Sequence, residues 1–411
     1  MNSSGPPRAS PPPAQPDDVP SQLSVIVTTS PTPSAPSTAL LSWVLRSFRE
    51  HCAVLLACRL IVVLDTFDHI GPKNQLKKGV LTADGAATYD LYKDNVKALV
   101  LGAYEEPATG LLKREEQAEY GSPLDDTNSV TLDVSTAASG RVTFIEPRKR
   151  IGFGLAVRSA LRLVDTPYVW VQQHDWPLVA DIPLPSLLRI MTTFDADEQT
   201  PVKYVCLPSV GLLSYATSED VVLFPELRAL TAALKSDDLL ATHRAPPESS
   251  ALSPHGTDTE YVPIPLTPLF LWHDKPHIVS RAHYLGRVYR SRLAMRRGNF
   301  TEDHIGQIAR TQMKSGRWAR WATWLYYPEE GRKKCVFHID GRRWRGVDGE
   351  LKAKLAHQAA QGYLGARAVE AGKPELVEDD SDDNIYFDPA SHVLAGGQDG
   401  DSWASPENGT R

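Results

Sequence analysis

Cysteine is scarce in this sequence: Cys52, Cys58, Cys206 and Cys335 are the whole complement, and they stand apart in apolar surroundings. A disulfide scaffold needs density and a cysteine zinc site needs paired spacing, so both are excluded, leaving buried free thiols in a reducing compartment. An excess of positive charge is missing as well. The formal net charge of -6 gives no global attraction to nucleic acid, and no nucleic-acid partner is expected. The most apolar run, HCAVLLACRLIVVL, falls short of the roughly 18 residues of a membrane span and is interrupted by Arg59, so no membrane span is expected. The opening MNSSGPPRASPPPAQPDD lacks the basic start and apolar core of a secretory signal, which points to the cytoplasm.

What is present is a chain of 411 residues, 42% hydrophobic, long enough for one large domain. Residues 1–21 are rich in Pro and Ser, and residues 370–411 carry the acidic run VEDDSDD with Gly, Ser and Pro. Neither can bury enough apolar area to offset chain entropy, so both are expected to be disordered. The folded domain is expected over 22–350, with a polar surface insertion read as a loop at 105–140 and a C-terminal helix at 351–369.

Inside the domain the pattern is strand, helix, strand. LSVIVTT is a β-branched run; STALLSWVLRSFREHCAVLL has helical spacing, with Ser37 placed to cap it; RLIVVLDTF is a second apolar strand. RVTFIEP, IGFGLAVRSALRLV, YVWVQQHDW, PLPSLLRIMTTF and VKYVCLPSV repeat the alternation. Strands joined through helices and apolar nearly throughout call for a mainly parallel sheet covered on both faces, an α/β Rossmann-like fold. Ligands bind such sheets at the carboxyl ends of the strands, which places Thr28, Thr29, Asp65 and the triplet Gln173-His174-Asp175 along one edge. From Arg281 to Arg345 there are 16 Lys or Arg against 5 Asp or Glu, a local basic excess suited to an anionic ligand.

This order of pieces resembles the GT-A fold of nucleotide-sugar-dependent glycosyltransferases, particularly the inverting family 2-like group, over roughly residues 22–345. The resemblance implies that LSVIVTTSP and Asp65 hold the nucleotide. It implies that Gly152, in EPRKRIGFGLAVR, lets backbone approach the ligand, with Arg148, Arg150 or Arg158 facing the diphosphate. The family's Asp-x-Asp metal motif falls on Gln173-His174-Asp175, keeping Asp175 as a ligand for Mn2+ or Mg2+; Gln173 brings no charge but can bond a ribose hydroxyl or a metal-bound water. In GNFTEDHIGQ the resemblance makes Asp303 the base that deprotonates the acceptor hydroxyl and Glu302 its neighbour. His338, in CVFHIDGRRW, matches a C-terminal histidine that joins the metal. Arg317-Trp318 is similar to part of a Q-x-x-R-W motif, although Lys314 stands where Gln would.

Other readings rest on residue chemistry. Trp272, His273 and Asp274, in LFLWHDK, combine an aromatic face with polar groups and are candidates for acceptor contact. Trp318, Trp321 and Trp324 recur at helical spacing and read as core. The function implied is transfer of a sugar from a nucleotide-diphosphate sugar to a carbohydrate or glycoconjugate hydroxyl, with inversion and metal assistance. A non-catalytic carbohydrate- or nucleotide-binding protein is the alternative. A nucleotidyltransferase is disfavoured because SPTPSAPS supplies no Lys or Arg beside the first strand.

Overall fold

The computed structural model describes residues 18–234 and 264–346. The chain divides after Arg343, and the fold below is that of the residues up to there. Residues 1–17, the helix expected at 351–369 and the tail expected at 370–411 lie outside the described residues. The end of the expected leader is ordered: Val19–Gln22 forms a helical turn and Val19 is buried in the core.

The strands are β1 (Leu23–Thr29), β2 (Arg59–Leu64), β3 (His69–Ile70), β4 (Val80–Leu81), β5 (Leu112–Glu119), β6 (Ser129–Thr136), β7 (Val142–Pro147), β8 (Tyr168–Gln173), β9 (Tyr204–Cys206), β10 (Leu266–Pro268), β11 (His277–Ser280) and β12 (Thr323–Tyr326). Ten form one sheet in the order β10-β12-β9-β11-β8-β1-β2-β7-β6-β5, while β3 and β4 make a separate ribbon. The centre, β8-β1-β2-β7, is parallel throughout. Every residue of β1 is buried, as a β-branched strand covered on both faces should be. The helices Ala39–His51, Ala83–Ala103, Phe153–Leu163 and Leu184–Thr193 bury apolar faces in the same core. At the first of them Ser37 Oγ accepts the Ala39 amide at 3.3 Å. The α/β fold expected from the sequence is the one observed.

The flanks depart from a parallel pattern. β11 runs antiparallel between β8 and β9, and β10 is antiparallel to β12. Residues 105–140, expected as a loop, instead contain the antiparallel ribbon β5–β6, paired onto β7. In β6 Val130, Leu132 and Val134 are buried in alternation. In β5, LKREEQAE, only Ala118 is buried, because a charged edge strand discourages further pairing and so reads like a polar loop. Trp318, Trp321 and Trp324 are buried core residues, but they do not share a helix: Trp324 belongs to β12.

From β1 the chain crosses to β2 and β7 on one side and later returns to β8 on the other. Where neighbouring strands depart in opposite directions, their carboxyl ends leave a crevice. The ends of β1, β2 and β8 meet at that crevice.

Candidate active site

A cavity of about 270 Å³ opens at this crevice. Thr28 and Thr29 end β1, Asp65 follows β2, Gln173 ends β8 and Asp175 lies in the turn after it; all five line it, with Arg150, Gly152, Asp274, Glu302 and His338 from other segments. Thr28 pairs with Gln173 in register, and Thr29 Oγ1 lies 2.7 Å from the Tyr92 hydroxyl, so two of the strand tips are fixed by the sheet and the helix behind it.

Asp175 is 8% exposed. Its Oδ2 accepts the Gly341 amide at 2.9 Å and faces His338 Nε2 at 3.4 Å, while its buried Oδ1 has no hydrogen-bond partner. Burial alone would raise its pKa, but the hydrogen bond from His338, the fields of His174 and His338 and the Gly341 amide outweigh it, holding the carboxyl well below the usual range. His338 is stacked on Trp176, ring centres 4.5 Å apart. A Cβ added at Gly341 would stand 2.7 Å from His174 Nε2, so the strap after His338 can hug Asp175 only with glycine there. Among the described residues no three His, Cys, Asp or Glu side chains gather as a metal nest. What exists is the pair Asp175 and His338, with an orphaned carboxylate oxygen. That suits an oxygen-seeking divalent cation whose other positions are filled by a ligand's oxygens and water.

Asp65 is committed to the backbone. Its Oδ1 accepts the Ile151 amide at 2.8 Å and its Oδ2 the Gly152 amide at 2.9 Å, and the Tyr89 hydroxyl donates to its carbonyl. It therefore shapes the turn 151–152 at the wall of the cavity that it also lines. Gly152 has φ +79, and a Cβ there would stand 2.5 Å from Gly298 Cα. The close backbone approach expected at Gly152 thus exists, but toward the segment carrying Glu302. Arg150 lines the cavity with its Nη2 on the carbonyls of Lys77 (3.2 Å) and Gly298 (3.3 Å).

Asp274 and Glu302 brace each other. The Glu302 amide donates to Asp274 Oδ2 at 2.9 Å, the Asp274 amide donates to Glu302 Oε2 at 3.1 Å, and His273 Nδ1 lies 3.0 Å from Glu302 Oε1. Burial pushes Asp274 up to about 8, against the hydrogen bond from the Glu302 amide and with the Glu302 charge adding to the rise. For Glu302 burial raises the pKa, but the hydrogen bond and charge of His273 and the Asp274 amide prevail, and its pKa is lowered. Two neighbouring carboxyls are thereby split, Asp274 protonated and Glu302 ionised near neutrality. Gln173 Nε2 donates to the Asp274 carbonyl at 3.0 Å, tying β8 to this pair.

Several expected residues lie elsewhere. Asp303 is exposed and does not line the cavity; successive helical positions diverge by about 100°, and the bonds to His273 and Asp274 turn residue 302 inward instead. Arg148 is exposed and paired with Asp133 and Glu115 on the β5–β6 ribbon. Arg158 is buried and donates to the Glu119 carbonyl at 2.7 Å. Trp272 is 0% exposed, packed on Tyr204 and Tyr284, and offers no face to a sugar. His273 lines a second cavity, described below, rather than this one.

Lys275, Phe300 and Arg342 also line the site, Arg342 lying 5.1 Å from the Phe300 ring centre. Lys275 was legible as the cation directly after the flagged WHD. Phe300 carried no signal beyond its nearness to the acidic pair.

No family model and no curated protein matches the chain. Among solved structures, 49% of it is similar to 39% of the mannosyltransferase PcManGT from Pyrobaculum calidifontis, in complex with GDP-Man and Mn2+, at 14% identity and TM-score 0.23. A similarity at 13% identity and TM-score 0.31 covers 90% of it and 88% of glucosyl-3-phosphoglycerate synthase from Mycobacterium tuberculosis, in complex with Mn2+, UDP and glucosyl-3-phosphoglycerate. At these scores neither neighbour bears on chemistry, which rests on the residues of the cavity.

Proposed function

We propose that this protein is a GT-A-type glycosyltransferase that moves a sugar from a nucleotide-diphosphate sugar to an acceptor hydroxyl, with inversion. The observation that supports it most is Asp175, an ionised, buried carboxylate with one unpartnered oxygen, set by β8 in a switch-point cavity that also holds Arg150, Arg342 and Glu302. Mn2+ or Mg2+, held by Asp175 and His338 when bound, would supply neutralisation of charge growing on the departing diphosphate. Arg150 and Arg342 face the same anion with planar donor forks.

Glu302, in place of Asp303, is the base. It takes the acceptor's hydroxyl proton while that oxygen bonds to the anomeric carbon and the bond from that carbon to the diphosphate oxygen breaks, its electron pair leaving with the nucleoside diphosphate. One displacement of this kind inverts the anomeric centre. His273 and the Asp274 amide fix the Glu302 carboxylate, and the protonated Asp274 avoids a second negative charge beside it.

Thermal unfolding with a panel of nucleoside diphosphates, with and without Mn2+, tests this reading. A matching nucleotide at a hundred times its Kd should stabilise the fold by about 2.7 kcal/mol, with Mn2+ required and the effect lost in Asp175→Asn. No shift with any nucleotide would sink the proposal. Hydrolysis of the matching nucleotide-sugar, absent for a mere binding protein, then establishes turnover.

A further inference from the structure

A second cavity, of about 140 Å³, meets the first at Lys275, which lines both. His273 lines the second cavity and is bonded to Glu302, which lines the first. The charged groups around the second cavity are Lys275, Arg310, Lys314 and Asp220. Three cations thus face one carboxylate, Asp220, which is itself paired with Arg310; among the described residues Lys275 forms no ion pair. Lys314 Nζ lies 3.8 Å over the Phe224 ring centre, and desolvation together with the nearby Arg310 charge, against that of Asp220, lowers its pKa. A concave site holding three cations and a single acid attracts an anion.

We propose that this second cavity receives an anionic group, phosphate or carboxylate, carried by the acceptor, whose hydroxyl then lies at Glu302 in the first cavity. The inference rests on the glycosyl-transfer reading and narrows its acceptor to a small polyol or sugar bearing such a group. Lys275 contacts the anion at the junction, Lys314 and Arg310 contact it further in, and Phe270 offers an apolar wall.

The test is calorimetric titration of the full chain with glycerol 1-phosphate and with glycerol, alone and with a saturating nucleoside diphosphate plus Mn2+. The phosphate ester should bind and glycerol should not. Lys314→Gln and Arg310→Gln should each weaken the ester by about tenfold, the loss expected for one charge-assisted contact, while Arg46→Ala, on the exposed side of the helix Ala39–His51 and lining neither cavity, leaves it unchanged. Melting temperatures near that of the parent show that the variants fold; should one fail, the other decides. Undiminished binding in both second-cavity variants, a loss in Arg46→Ala, or no binding of the ester overturns the proposal. If the ester binds as expected but no nucleoside diphosphate does, the anion site stands and the glycosyl-transfer reading falls.

Discussion

Which of two adjacent carboxylates faces the cavity is decided by three contacts to Glu302 from a segment 28 and 29 residues away. Glu302→Gln should therefore lower kcat by about 10² to 10⁴, the usual contribution of a positioned general base, with nucleotide binding retained. Asp303→Asn should leave steady-state rates nearly unchanged, and the reverse pattern would return the role to Asp303. Asp175 was legible in the sequence because the turn that leaves a strand lies at the sheet edge. The choice between 302 and 303 was not, since helical phase at a first turn is settled by partners that spacing does not reveal. Arg148 and Arg158 misled for a related reason: a cation near a Gly turn resembles a phosphate ligand, and only the fold shows Arg148 spent on Asp133 and Arg158 on the Glu119 carbonyl.

Between elements, the wall of the cavity depends on two backbones in contact. The turn at Gly152 and the segment at Gly298 touch, joined by the Gly298 amide donating to the Ile151 carbonyl at 2.8 Å. Gly152→Ala would press a methyl to 2.5 Å from Gly298 Cα, and overpacking of this kind costs about 1 to 3 kcal/mol. Gly140 shares φ +79 but has nothing within 4 Å of an added Cβ, so Gly140→Ala carries only the backbone strain. Denaturant melts of the two variants should rank Gly152→Ala as the less stable; equal losses would mean that the contact yields freely. The parallel centre could be read from apolar continuity, whereas the β5–β6 ribbon could not, because its outer strand carries charge where a buried strand carries Val or Ile.

For the whole molecule, the buried Asp274 links stability to pH. With its carboxyl raised from 3.8 to about 8, the folded chain keeps a proton that the unfolded chain releases. Its stabilising contribution is complete below about pH 4 and is lost as pH rises toward 8, at no more than about 1.4 kcal/mol per pH unit. Guanidinium denaturation between about pH 5 and 8 should show a negative slope from this group that Asp274→Asn flattens. Parallel profiles for the two proteins would refute the linkage. Among the described residues no helix is long and apolar enough to cross a membrane, and all four cysteines are free and buried, as their surroundings in the sequence implied.

The strap that grips Asp175 through His338 and Gly341 comes after β12, the last strand of the sheet. During synthesis every strand can emerge and pair before that strap leaves the ribosome. A nascent chain would thus own a finished sheet while Asp175 still lacked the partners that the strap brings, and the cavity would wait for residues 338–341.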